Sequence, residues 1–126
     1  GSGAAWQHDD ARRWGSRIVT SREWHRAGAD TVLDGLPTGG RYVLSIDCDG
    51  IDPAAFPAVA MPTPGGLTYE DLLDLLHGLA TRGRIVGFIL AEYVPTRDDP
   101  LRNSALLAAR LTAVAIGLMR GQAEAA

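Results

Sequence analysis

The chain has 126 residues, 46% apolar and 21% charged, with a formal charge of −3. That is enough for one packed domain and too little for two. The charge excludes the clustered positive surface that nucleic acid or an anionic membrane requires, and no apolar run is expected to approach the roughly 20 residues that span a bilayer.

Cys48 is the single cysteine, which rules out an internal disulfide and suits a reducing cytoplasm. The N-terminus has no basic-then-apolar signal pattern, so a soluble intracellular domain is expected. Gly1–Gly3 reads as a cloning remnant or as a beginning inside a longer protein. The chain carries no internal repeat or low-complexity tract.

In chain order, the polar stretch from Trp6 to Trp14 predicts a short helix, and Arg17 to Thr20 predicts a short strand. Thr20 and Glu23 have the spacing of a capping box, which predicts a helix running through Leu33. Leu36 to Gly40 is a turn-rich break. Tyr42 to Asp47 predicts a strand, being apolar and β-branched after that break. From Asp49 to Leu67 the chain holds Pro53, Pro57, Pro62 and Pro64 followed by Gly65-Gly66, so it cannot be regular structure. Irregular stretches of that length inside compact domains are usually functional.

Thr68, with Asp71 three residues on, predicts a helix start, and Leu72, Leu75, Leu76 and Leu79 give it one apolar stripe. Gly83 ends it. Ile85 to Ala91 is almost continuously apolar, as expected of a strand buried on both faces. A polar loop from Pro95 to Asn103 leads to a last helix striped by Leu107, Leu111, Val114 and Leu118. Alternation of this kind predicts an α/β fold with a parallel sheet, helices on its faces and ligands beyond the carboxyl ends of its strands.

Three acidic residues fall at such ends. Asp47 and Asp49 are two apart at the end of a strand, so side-chain alternation would turn both to one side. Two carboxylates there form an oxygen-rich corner for a hard divalent cation, although aspartates also cap turns and helices. Glu92 ends an apolar strand, where it would receive a cationic group such as guanidinium or stand solvated. His25 and His77 fall in predicted helices and His8 in a polar stretch, without spacing for a metal site. Cys48, between the aspartates, reads as a buried apolar residue.

The run Ser45-Ile46-Asp47-Cys48-Asp49-Gly50-Ile51-Asp52-Pro53, with Pro57-Ala58 and Gly65-Gly66-Leu67-Thr68, resembles the last signature of the arginase/agmatinase/formiminoglutamase ureohydrolases. Gly87 to Pro95 resembles the segment that carries the substrate-facing glutamate of that family, and the agmatinase-like branch is nearest in style. The resemblance implies a three-layer αβα fold with a mainly parallel sheet, of which residues 1–126 form the C-terminal part. It implies a binuclear manganese site with Asp47 and Asp49 as ligands, and Glu92 as the grip on a small guanidino substrate. Asp52 would brace the loop. Water attack at the guanidinium carbon would release urea and an amine, in a parent that assembles as a homo-oligomer.

The departures are as specific. The Gly-Gly-Asp-His and Asp-Ala-His-x-Asp segments that carry the family's other ligands do not occur here, nor does its proton-shuttling histidine. Ala60-Met61 stands where Gly-Thr is frequent, and Tyr93-Val94-Pro95 where Val-Asn-Pro is frequent. No catalytic residue is therefore assigned, and the chain alone is expected to be inactive. Three readings follow: a piece of a full-length metallohydrolase, a non-catalytic binding or assembly module, or one subunit of a split enzyme. With about three strands, an apolar strand near a sheet edge predicts a marginal monomer that associates.

Overall fold

Two parallel strands, covered by helices on one face, organise residues 5–126, the part of the chain described by the computed structural model. Gly1–Gly3 lies outside the described residues. Strand β1 (Arg41–Asp47) pairs with β2 (Arg84–Ala91) from Arg41 opposite Arg84 to Asp47 opposite Ala91, with an irregularity between Tyr42 and Val43. Before them lie α1 (Ala5–Arg13), α2 (Ser21–Ala27) and α3 (Asp30–Leu33). Helix α4 (Tyr69–Arg82) connects the strands, and α5 (Asn103–Glu124) follows.

Alternation along the strands sends Tyr42, Leu44 and Ile46 to one face, where Ile85, Phe88 and Leu90 join them. Helices α4 and α5 cover that face. Leu72 and Leu76 of α4, Ala108, Leu111 and Ala115 of α5, and Ile46 form one buried cluster. A smaller cluster joins Leu33 of α3 to Leu79 and Ile85. The leucine stripes read from the sequence on α4 and α5 are the ones that pack.

Helix α4 begins at the capping box foreseen for it, Thr68 N–H to Asp71 Oδ2 at 2.8 Å and Asp71 N–H to Thr68 Oγ1 at 3.1 Å. Asp71 also accepts from the indole N–H of buried Trp24 at 2.8 Å and lies 3.5 Å from His25 Nε2. This docks α2 on the start of α4 and makes His25 an interface group. Asp98 caps α5 through the N–H groups of Ser104 and Ala105, each at 3.0 Å. At the other end of α5, Gln122 accepts from Ile85 N–H at 2.9 Å and donates to the carbonyls of Ala80 and Gly83.

Four expectations are corrected. Arg17–Thr20 is not a strand, because it finds no ladder partner among the described residues. The helix expected from Thr20 through Leu33 starts at its capping box but breaks at Gly28, whose φ of 76° lies in the left-handed region. Strand β2 is buried on one face only: Val86 and Ile89 are exposed opposite the helices, as is Val43 of β1 at 61%. That second face is where the third layer of an αβα sandwich would lie. Lastly, α5 is one helix of 22 residues that by length and composition is apolar enough to cross a membrane. Here it is a covering helix, its buried stripe seated on the sheet and α4.

Leu76→Ala removes a fully buried side chain shared by sheet and helices and is expected to lower unfolding free energy by about 2–5 kcal/mol in chemical denaturation. Val43→Lys with Ile89→Lys, on the bare face, should instead reduce self-association in sedimentation velocity while barely moving the unfolding midpoint. Asp71 and Asp98 predict an acid dependence. Burial raises both carboxyls, but the N–H donors of Thr68 and the Trp24 indole on Asp71, and those of Ala105 and Ser104 on Asp98, hold each below its ordinary 3.8. A carboxyl lowered on folding stabilises fully above its unfolded value and loses that contribution as pH falls through the folded one. Thermal melts are therefore expected to weaken below about pH 5, and Asp98→Asn should flatten that decline.

Candidate functional site

Ladder pairing sets Asp47, the last residue of β1, beside Ala91, the last of β2, so Glu92 follows at the same carboxyl end. The chain turns immediately after Asp47, and Cys48–Gly50 form a 3-10 turn. Strand alternation therefore stops at Asp47, and the turn, not alternation as expected from the sequence, sets the direction of Asp49. The corner centres on Cys48, a fully buried thiol. Burial pushes that thiol up to about 11, and the charges of Asp47, Asp49 and Glu92 add to the effect. Cys48 itself is a protonated core group rather than a thiolate ligand.

Asp47 is exposed on the bare face, in line with Val43 and Ser45, whereas Asp49 is half-buried. Glu92 adopts φ 61°, a left-handed conformation that a non-glycine residue holds at a cost of roughly 1–2 kcal/mol. The links behind it oppose that cost. The Tyr93 ring meets Phe56 edge-on at 5.5 Å, and Val94 N–H donates to Ala58 O at 2.8 Å. Arg97 Nη1 donates to Ala60 O at 2.8 Å and to Val59 O at 3.3 Å. Phe56, Ala58 and Val59 are buried, and Ala58 N–H donates to the buried hydroxyl of Ser104. Strain held at a polar strand end by such a frame is common at functional sites.

The loop after Asp49 is braced by Asp52, as expected. Its carboxylate accepts from Ala54 N–H and Gly65 N–H, each at 2.9 Å, and these two bonds hold it below the ordinary carboxylate range. Asp52 N–H donates to Leu67 O and Leu67 N–H to Gly50 O, forming a short parallel bridge. Gly66 permits that approach, since a Cβ there would lie 2.6 Å from Asp52 N and 2.7 Å from Gly50 O. The two ends of the proline-rich segment are thereby tied beside the aspartates.

The oxygen donors suit a hard divalent cation, and no Arg or His forms an ion pair with Asp47, Asp49 or Glu92 among the described residues. In number they fall short. Among the described residues, no group of three or more His, Cys, Asp or Glu side chains can hold a metal ion. His77 is exposed on α4 and His25 is occupied with Asp71. Arg97 and Ser104, which hold the frame behind Glu92, were not singled out from the sequence, since their partners lie 38 and 46 residues away.

Comparison with known proteins gives this corner a context. The family model described as "Arginase family" matches residues 2–117. An N(1)-aminopropylagmatine ureohydrolase of Thermus thermophilus is 35% identical over 115 residues, 90% of this chain and 38% of the relative. In three dimensions, the agmatine ureohydrolase of Thermoplasma volcanium matches with a TM-score of 0.79 and 30% identity, covering 95% of this chain and 40% of that one. Arginase from Medicago truncatula also gives 0.79, with 28% identity, over 94% of this chain and 37% of that one. The chain therefore spans about two fifths of the length of these relatives. On the family match and the shared fold, the chain belongs to the arginase family.

Proposed function

We propose that this chain supplies part of the active site of a manganese-dependent ureohydrolase, which cleaves a guanidino compound to urea and an amine. The observation that carries the reading is that the ladder ends Asp47 beside Ala91, so Asp47, Asp49 and Glu92 fall at the carboxyl ends of two adjacent strands, with no ion pair to any of them among the described residues. Asp47 and Asp49 would hold the metal from one side, and the remaining donors would come from the polypeptide that the longer relatives possess and this chain does not. When bound, manganese supplies positive charge and lowers the pKa of water, so that a nucleophile exists at neutral pH.

Glu92 has the chemistry to orient the substrate. A planar carboxylate accepts two parallel N–H bonds from a guanidinium, and the frame through Val94 and Arg97 fixes where it stands. Addition of water to the guanidinium carbon and breakage of its bond to the substituted nitrogen yield urea and the amine as its ammonium form, both protons of the water passing to the departing nitrogen. Among the described residues no histidine forms an ion pair with Asp47, Asp49 or Glu92, and so the roles proposed for the residues present are to bind and orient. The relatives named for agmatine derivatives support an amine-bearing, agmatine-like substrate, in a parent that is a homo-oligomer.

A chimera tests this: residues of this chain replace the aligned 38% of the Thermus enzyme, and urea release is measured with manganese present. Activity is expected. Asp47→Ala with Asp49→Ala should lower it about 100-fold or more, since even outer partners of metal ligands cost about 10–100-fold. Glu92→Gln should raise KM about 10- to 100-fold with manganese affinity unchanged. The 126-residue chain alone should release no urea and bind manganese only weakly in calorimetry. A folded, manganese-loaded chimera without activity, or one indifferent to both aspartates, would sink the reading.

A further inference from the structure

A second concavity differs in chemistry from the acidic corner. It lies between the first turns of α4 and α5 and the turn held by Asp52, and is open to solvent, with a volume of about 280 Å³. Ala54, Ala55, Leu106 and Leu107 provide apolar walls, and Arg110 the positive charge. The Arg110 guanidinium carbon lies 5.0 Å from the centroid of the Tyr69 ring. Arg110 is exposed, its guanidinium lies over that aromatic face, and its donors are free for a ligand.

Arg110 forms no ion pair or hydrogen bond among the described residues, whereas Arg82 and Arg120 each pair with a carboxylate. Asp99 forms no ion pair with it. That carboxylate is engaged by the backbone N–H and side-chain amide of Asn103, at 3.0 and 2.8 Å. The Tyr69 hydroxyl has no partner among the described residues either and adds a donor beside the cation. An unpaired guanidinium over an aromatic ring, a free phenol and aliphatic walls are complementary to a carboxylate with a short apolar tail. The volume lies at the lower limit of ligand pockets, roughly 300–1,000 Å³, which sets a small ligand. A guanidino or amine compound would be repelled by Arg110, so this cavity and the acidic corner select opposite charges.

We propose that this cavity is a binding site for small apolar monocarboxylates, with Arg110 as the anion anchor. Its position makes it a neighbour of the corner. Ala54 and Ala55 are bonded to Asp52, which lies three residues beyond Asp49.

The test uses phenylacetate as probe against the uncharged isostere phenylacetamide, followed by amide NMR shifts on the full 126-residue chain without metal. Phenylacetate is expected to bind with a Kd near or below about 1 mM and to shift Ala54, Ala55 and Leu107. Phenylacetamide, and phenylacetate with the Arg110→Met variant, should bind about tenfold or more weakly. Equal binding of acid and amide overturns the proposal on the unmodified chain, whatever the variant does. So do shifts mapping elsewhere, or shifts at this face that follow protein concentration rather than ligand, which would assign it to a second copy. The readout involves neither manganese nor urea, so it stands or falls apart from the hydrolase reading.

Discussion

The parallel ladder between β1 and β2 is the constraint on which the rest depends. Its register puts Asp47 opposite Ala91, so the residues that follow each strand meet at one end: Cys48 and Asp49 after β1, Glu92 after β2. Parallel strands cannot be joined by a tight hairpin and need a crossover, here the braced loop and α4. The loop leaves β1 at the carboxyl end, bridges back on itself through Ile51 and Leu67, and delivers the chain to the capping box of α4. The features around the corner are thus consequences of one pairing.

The same ladder explains an asymmetry. On the helical face, apolar side chains from both strands are covered by α4 and α5; on the other face, Val43 and Ile89 meet solvent. Asp47 belongs to the bare face. The uncovered apolar face leaves the sheet with one helical layer, in a chain two fifths as long as its relatives.

Much of this was legible in the sequence, for physical reasons that differ by element. Helix α4 has both a capping box and a stripe, two local signals that agree, and it forms from Thr68 to Gly83 as read. Strand β1 was clear because apolar and β-branched residues follow a glycine break. Arg17–Thr20 had strand-like composition, but a strand is made by its partner, which local sequence does not report. Gly28 was passed over because the helical pattern continues beyond it, although its positive φ breaks the helix. Burial on both faces was inferred for β2 from its run of apolar residues, which records the surroundings a strand is suited to rather than those this chain provides.

The candidate site divides along the same line. Asp47, Asp49 and Glu92 were found because acidic residues at the ends of apolar strands conflict with their surroundings, and such conflicts accompany function. Arg97 and Ser104 conflict with nothing locally, and their importance lies in contacts made across the fold. Glu92 shows why those contacts matter. A glutamate at φ 61° is free to relax unless the chain on its far side is fixed, and it is fixed by an aromatic contact, a backbone bond and a guanidinium, all reaching the strip from Phe56 to Ala60, in which Phe56, Ala58 and Val59 are buried. That strip lies within the proline-rich segment which, read by itself, is only irregular. Its prolines deny it a ladder, so its backbone groups are satisfied by side chains and by the turn after β2. Those same bonds give the segment a place in the core and hold Glu92 at the strand end.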